Sequence, residues 1–440
     1  MLVFISDLHF VDETAGKHNI PTSAFQGVFK DLQQFGGKPT EIKIVFLGDI
    51  FDVNRTTYWL QPQVDESERP WGDMKDKGKE IEGHANNIID GILEKNRTTF
   101  DIFKGSMKDQ FGFIVEPERI YIPGNHDRLC NIFDSLREKV RINLGIKPVN
   151  KDKFLHVFND KDVYKVIAWH GHEFDVMNYE GTSNYTDSDY AQIPIGDLIT
   201  TEIASRLPYT IMQHVENMSP AMPGEEKESL KRNLQEIENV RPYTAIFDWL
   251  FYQVSDNPEL KKEINESLKE IVANFNSLQY LHRWYKRHDK WNIFTSDEAD
   301  KLQSVIRLFK LFDVDAAETL LKIYSKIFGS PDNLPMDNSD KALIDSAKNF
   351  LTHTSEYRYC VMGHTHNPMQ VPIRITSSAS GELEQIYLNT GTWRKRYIKG
   401  QAGGFIGLKH LTYTIIYSQR ENASQRFEAW TGSLKEALST

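Results

Sequence analysis

Cysteine is almost missing from this sequence. Cys130 and Cys360 are the only two in 440 residues, which excludes a disulfide scaffold and fits a reducing compartment. No apolar run approaches the roughly 20 residues that span a bilayer. The first residues, Leu2, Val3, Phe4 and Ile5, read as a short buried strand rather than a secretory leader. A cytoplasmic protein without a transmembrane segment is the expectation, and Asn-x-Thr sites such as Asn54 and Asn96 then have no glycosylation meaning. An excess of basic charge is also lacking: 62 acidic against 52 basic residues leave a net charge of −10. General attraction to polynucleotides is therefore not favoured, and only a local basic groove would serve such a partner. Neither internal repeats nor low-complexity tracts occur, and no segment identifies a protein partner. At this length a core domain with a sizeable insertion, or a second domain, is expected.

What the sequence does contain is a series of short apolar runs, each ending in small and polar residues. LVFIS at 2–6 leads into Asp7-Leu8-His9, IKIVFL at 42–47 into Gly48-Asp49-Ile50-Phe51-Asp52, and RIYI at 119–122 into Pro123-Gly124-Asn125-His126-Asp127. VYKVIAW at 163–169 leads into His170-Gly171-His172, and RYCVM at 358–362 into Gly363-His364-Thr365-His366. These are five candidate β-strands followed by five polar loops. In open α/β sheets ligands bind beyond the carboxyl ends of strands, so a site assembled from these loops is expected.

Between about 196 and 356 the texture becomes helical. Ile264, Leu268, Ile271, Val272, Phe275 and Leu278 follow helix-face spacing after an Asn257-Pro258 start, and Thr295 with Glu298 forms a capping-box spacing ahead of Leu302, Val305, Ile306 and Phe309. The division that follows is a first part of the core over 1–195, a helical insertion or cap over 196–355, and a second part of the core over 356–440. A smaller, polar and partly helical insertion is expected between Asn54 and Phe113. QIYLNTGTW and GGFIGLKHLTYTIIYSQ, with turn glycines Gly403 and Gly404 between them, return to strands at the C-terminal end.

The loops hold Asp7, His9, Asp49, Asn125, His170, His364 and His366. Any one of them alone reads as readily as a turn residue or a helix cap. Together they provide enough oxygen and nitrogen donors for two divalent cations, a mixture that suits manganese, iron, zinc or nickel better than thiolate-seeking or all-oxygen metals. In Asp7-x-His9 and His364-x-His366 the alternation of an extended strand would aim both side chains the same way. A small Gly363 would let the backbone come close to the same point.

The motifs DLH at 7–9, GDIFD at 48–52, GNHD at 124–127, HGH at 170–172 and GHTH at 363–366 stand in the order that marks calcineurin-like metallophosphoesterases, and the sequence resembles that family. The resemblance implies an α/β fold, a four-layer α/β/β/α sandwich, here with a large all-helical insertion. It implies one metal on Asp7, His9 and His366, a second on Asn125, His170 and His364, and Asp49 bridging both; manganese is the leading candidate. It places a general acid on His126, an orienting carboxylate on Asp127 and a supporting carboxylate on Asp52. The activity it implies is hydrolysis of phosphoesters, in which a hydroxide shared by the ions attacks phosphorus in line and His126 protonates the leaving oxygen.

Val53, Asn54 and Arg55 follow GDIFD where protein Ser/Thr phosphatases carry Arg-Gly, so a phosphodiester or pyrophosphate in a small molecule or nucleotide is favoured over a phosphoprotein. HGHEFD and NTGTW look like the UDP-diacylglucosamine hydrolase branch. A nuclease acting on DNA or RNA is the alternative. Its one local support is HRWYKRHDKW at 282–291, where basic and aromatic residues interleave, and a helix end with a solvated basic face and buried aromatics explains that stretch more readily. Arg128, Arg394 and Arg396 are candidates for gripping phosphate, and His172 and Asp175 for orienting His170 or touching substrate. From another class, a non-catalytic adaptor would use the insertion as its interaction surface.

Overall fold

The computed structural model describes the chain except for residues 19, 34–38, 40, 108–112, 114, 219–221, 242–244, 254–256, 289–337, 379–380, 401–402, 422–425 and 435–440. Helices accompany two mixed sheets, an α/β fold. The first sheet runs β3-β2-β1-β11-β10-β6, with β12 also paired to β11, where β1 is Leu2–Ile5, β2 Lys43–Leu47, β3 Glu118–Ile122, β6 Val240–Arg241, β10 Lys395–Lys399, β11 Phe405–Ile416 and β12 Phe427–Leu434. The second runs β4-β5-β7-β9-β8, with β4 at Phe158–Asp160, β5 at Val166–Ala168, β7 at Tyr359–Met362, β8 at Met369–Ser378 and β9 at Gly381–Asn389. All five expected strands exist as β1, β2, β3, β5 and β7, and the C-terminal runs form β9 and β11.

The apolar runs lack polar alternation because both faces of these strands are covered. Leu2, Phe4, Val45 and Leu47 point to one cluster with Val166, Ala168, Tyr359 and Val361 from the second sheet. The intervening Val3, Ile5, Ile44 and Phe46 pack instead with residues of the helices Thr22–Leu32, Met74–Lys95, Arg97–Phe103 and Asp134–Leu144. Ile167, Cys360 and Met362 point away from the first sheet and meet Leu343, Ala347 and Leu351 of the helix Asn338–Thr352. Because β1, β2 and β3 are mutually parallel, as are β5, β7 and β9, each sheet delivers its polar loops at one end.

Several expectations need correction. The segment expected between Asn54 and Phe113 as an insertion is helical, but Ile81, Ile88, Ile92, Phe100 and Phe103 belong to the core against the first sheet. The 196–355 segment is not all-helical, since Val240 and Arg241 pair in parallel with Tyr397 and Ile398. Nor is it all insertion: the helix Asn338–Thr352 covers the second sheet, and its buried Asp340 accepts from Asn367 Nδ2 at 3.0 Å, beside the His364–His366 loop. The helix Pro258–Ser277 forms as its spacing requires, with Asn257 Oδ1 accepting from Leu260 N at 3.0 Å and proline in the first turn. The segment with Thr295 and Glu298 lies outside the described residues. Among the described residues no helix is long and apolar enough to cross a membrane.

If the helix Asn338–Thr352 is an integral layer, Leu343→Ala should cost about 2–5 kcal/mol, the range for a fully buried leucine. A urea melt checks this, and a variant as stable as the parent would show that the helix is only loosely laid on the sheet.

Candidate metal centre

The polar loops are stitched to each other by backbone hydrogen bonds. Asp7 N donates to Gly48 O at 3.0 Å, His9 N to Asp49 O at 2.8 Å, and Gly363 N to His170 O at 2.8 Å. The strands end before the donors begin, so strand alternation does not aim Asp7 and His9 or His364 and His366, contrary to expectation. Left-handed backbone does: φ is 51° at Asp7, 47° at His9, 52° at Asp49, 69° at His364 and 59° at His366. Non-glycine residues reach this region at a cost of about 1–3 kcal/mol each, and such strain clusters at functional sites. Gly124 and Gly363 are required by close approach, because a Cβ would collide with Asp49 Oδ1 at the first and with Asp7 Oδ2 at the second.

The expected donors do converge. Asp7, His9 and His366 form one group whose potential ligand atoms lie within 4.8 Å of one another, and Asp49, His170 and His364 form another. Asp49 links its own group to the first, its Oδ2 3.6 Å from His9 Nε2 and 3.2 Å from His170 Nε2, while its Oδ1 accepts from His126 N at 2.9 Å. His9 Nε2 lies 2.9 Å from His366 Nε2, which is 3.3 Å from Asp7 Oδ1. Asn125 Nδ2 donates to Asn178 Oδ1 at 3.2 Å, and Asn178 Nδ2 donates in turn to Asp175 Oδ2, the oxygen beside His364 Nε2.

His126 stands apart from the other imidazoles in exposure. Its side chain is 20% accessible, against 1% for His9, 0% for His170 and 8% for both His364 and His366. Asp127 does not orient it. The Asp127 carboxylate accepts from the amides of Gly124 and Ile50, at 2.5 and 2.9 Å, and so ties two loops together. Asp52 takes the expected orienting role, with Oδ1 2.8 Å from His126 Nδ1 and Oδ2 3.1 Å from His9 Nδ1. Burial opposes a charge on His126, but Asp52 and Asp49 raise its pKa well above the usual histidine value. Asp175 touches His364 rather than His170, Oδ2 to Nε2 at 3.0 Å. His172 is buried, its ring centroid 5.3 Å from that of His170.

The arginines are engaged elsewhere. Arg128 donates through Nε and Nη2 to Asp197 Oδ2, at 3.1 and 2.7 Å, and to the Pro70 carbonyl. Arg394 donates to Asn239 Oδ1 at 2.8 Å, and Arg55 pairs with Glu238. Arg396 donates to the His366 carbonyl at 3.4 Å. Asp197, Glu238 and Asn239 come from the 196–355 segment, which therefore docks at the rim of the donor cluster. Sequence reading missed these three, along with Arg55 and Asn178. Only the Asp175-x-x-Asn178 spacing, suited to a side-chain-capped turn, offered a signal.

The residues present suit a metal. Asn125 Oδ1 is buried without a hydrogen-bond partner, and the buried His170 Nε2 makes no well-formed hydrogen bond, its near neighbour being Asp49 Oδ2 at 3.2 Å. His170 Nδ1 lies 2.9 Å from the Leu47 carbonyl, so Nδ1 carries the proton and Nε2 faces the cluster. Burial, with Asp49 adding repulsion, pushes the carboxyls of Asp7 and Asp127 up to about 6. A cation would relieve that repulsion. Cys130 and Cys360 lie in the hydrophobic clusters, leaving a purely nitrogen and oxygen donor set. The chain matches no protein-family model and no curated protein.

Manganese at about a hundred times its Kd should stabilise the metal-free protein by about 2.7 kcal/mol, or about 3 °C in Tm for a chain of this length. Differential scanning calorimetry reads the shift, and Asp49→Ala should abolish it. An equal shift in that variant would place the ion elsewhere.

Proposed function

We propose that the protein is a dinuclear-metal phosphoesterase of the calcineurin-like class, acting on phosphodiester or pyrophosphate bonds. The carrying observation is the position of Asp49 Oδ2 between His9 and His170: His9 belongs to a group with Asp7 and His366, and Asp49 itself forms a second group with His170 and His364. The packing of helices on the outer faces of two facing sheets supports the four-layer reading. On this reading Asp7, His9 and His366 hold one ion, Asn125, His170 and His364 the other, and Asp49 both. When bound, such a pair supplies a hydroxide nucleophile at neutral pH and neutralises charge developing on phosphorus.

The remaining chemistry belongs to the chain. Asp52 fixes His126 through Nδ1, so Nε2 of the more exposed ring is turned outward to give a proton to the leaving oxygen. Asp175 and Asp52 hold His364 and His9 from behind, fixing ring orientation. Arg55, Arg128 and Arg394 each meet a residue of the cap. That leaves less positive charge for a dianionic monoester than for a monoanionic diester. A complete donor set together with a positioned acid speaks for an enzyme and against an adaptor.

Elemental analysis after manganese loading should give two ions per chain, both diminished by Asp49→Ala and chiefly one by His9→Ala. The acid assignment has its own signature. General acid catalysis contributes about 10²- to 10⁴-fold, so His126→Ala should lose activity on that order with an alkyl diester and much less with a nitrophenyl diester, whose leaving group needs no proton. Asp52→Asn should show a weaker version of the same split. Equal losses on both esters at unchanged metal content would remove His126 from the acid role.

A further inference from the structure

The helix Gln279–His288 gathers basic side chains on a chain that is acidic overall. Its sequence, QYLHRWYKRH, contains no carboxylate. Arg283, Lys286 and Arg287 are exposed, while Leu281 and Trp284 are buried. Three- and four-residue spacing puts the three cations on one face, with Arg283 and Arg287 about 6 Å apart along the axis. Among the described residues no carboxylate pairs with any of the three. Arg283 and Arg287 instead flank the Tyr280 ring, their guanidinium carbons 5.9 and 5.8 Å from its centroid, and Arg287 Nη2 lies 3.4 Å from the Tyr280 hydroxyl. The tyrosine thus sets two guanidinium groups side by side.

The buried face of this helix rests on the segment that supports the donor cluster. Trp284 Nε1 donates to Glu180, and the Tyr280 hydroxyl donates to the Ile193 carbonyl at 2.5 Å. Glu180 is two residues from Asn178, which holds Asn125, so those two backbone positions are at most about 7 Å apart. Asp197, which binds Arg128, acts electrostatically on both His126 and Tyr280. The helix and the cluster therefore share one short piece of chain as their common wall.

We propose that the exposed face of Gln279–His288, with Arg283, Lys286 and Arg287, binds the phosphate backbone of a nucleic acid strand whose scissile diester lies at the donor cluster. This rests on the phosphodiesterase reading and names its substrate class. A small ester offers phosphate only at the cluster, whereas a polynucleotide offers further phosphates beyond it. Exposed cations with no carboxylate partner among the described residues, on a helix that shares a wall with the cluster, are useful only for the second. The net charge of −10 works against non-specific adhesion and leaves this stripe as a local attraction.

The test compares the parent with Arg283→Gln/Lys286→Gln/Arg287→Gln and with Arg283→Lys/Arg287→Lys. Fluorescence anisotropy in EDTA measures binding of a fluorescein-labelled oligothymidylate across a salt series, and manganese-loaded protein is assayed on bis-nitrophenyl phosphate. The glutamine variant should bind at least about tenfold more weakly at low salt, and the slope of log K against log salt should fall by about 2, as expected for three lost contacts to a single strand. The lysine variant should bind like the parent, and all three proteins should turn over the small diester alike. Unchanged oligonucleotide affinity in the glutamine variant, equal loss in the lysine variant, no binding by the parent, or equal binding to phosphatidylserine vesicles would each overturn the proposal. Absence of small-diester turnover in the parent would instead count against the phosphodiesterase reading, leaving the binding result to stand by itself.

Discussion

A carboxylate removed from water must be met by positive charge or by hydrogen bonds, and Asp49, 1% exposed, places that demand on everything around it. His9 from the loop after β1, His170 from the loop after β5 and the amide of His126 after β3 answer it. These groups come from both sheets, so Asp49 can be satisfied only when the sheets are packed in one register. Burial works against its charge, yet His170 and His126 hold its carboxyl well below the usual range. The same packing leaves no room for a side chain at Gly124, and it presses Asp7, Asp52 and Asp127 into the same low-dielectric space.

That concentration of buried acid explains the histidines and the strained backbone together. Five of the donors have left-handed φ values, a conformation that persists only where surrounding structure over-determines it. Here the surroundings are two strand systems whose alternate side chains are locked in three hydrophobic clusters. The loops also bond to one another through their amides and carbonyls. The stiffness of the sheets is thereby converted into fixed positions for short side chains.

The 196–355 segment adds a second layer of charge pairing. Asp197, Glu238 and Asn239 engage Arg128, Arg55 and Arg394 at the rim. Breaking a buried ion pair by removing one partner costs about 3–5 kcal/mol, which makes the Arg128–Asp197 contact, with both residues buried, a firm attachment of the helix Ile195–Ile199 to the GNHD loop. It also turns the guanidinium groups away from the role of loose phosphate clamps.

Much of this was legible in one dimension. Fully apolar runs of four or five residues ending in Gly, Asp, Asn and His announce buried parallel strands and their loops, because burial of both faces is a local demand on composition. The helix Pro258–Ser277 was legible for the same reason, from its cap, first-turn proline and face spacing. What the sequence could not decide was partnership between distant residues. Whether Asp52 or Asp127 would reach His126, whether Arg128 would meet a phosphate or Asp197, and whether Asn338–Thr352 would belong to a cap or cover a sheet all depend on packing across the chain. The means by which His364 and His366 are aimed was likewise settled by backbone outside any strand. Periodicity and turn chemistry are written locally, so the sequence determined the elements and the set of donors. Contacts at long sequence separation are selected by how clusters fill space and how buried charges find partners, and only the tertiary structure decided those.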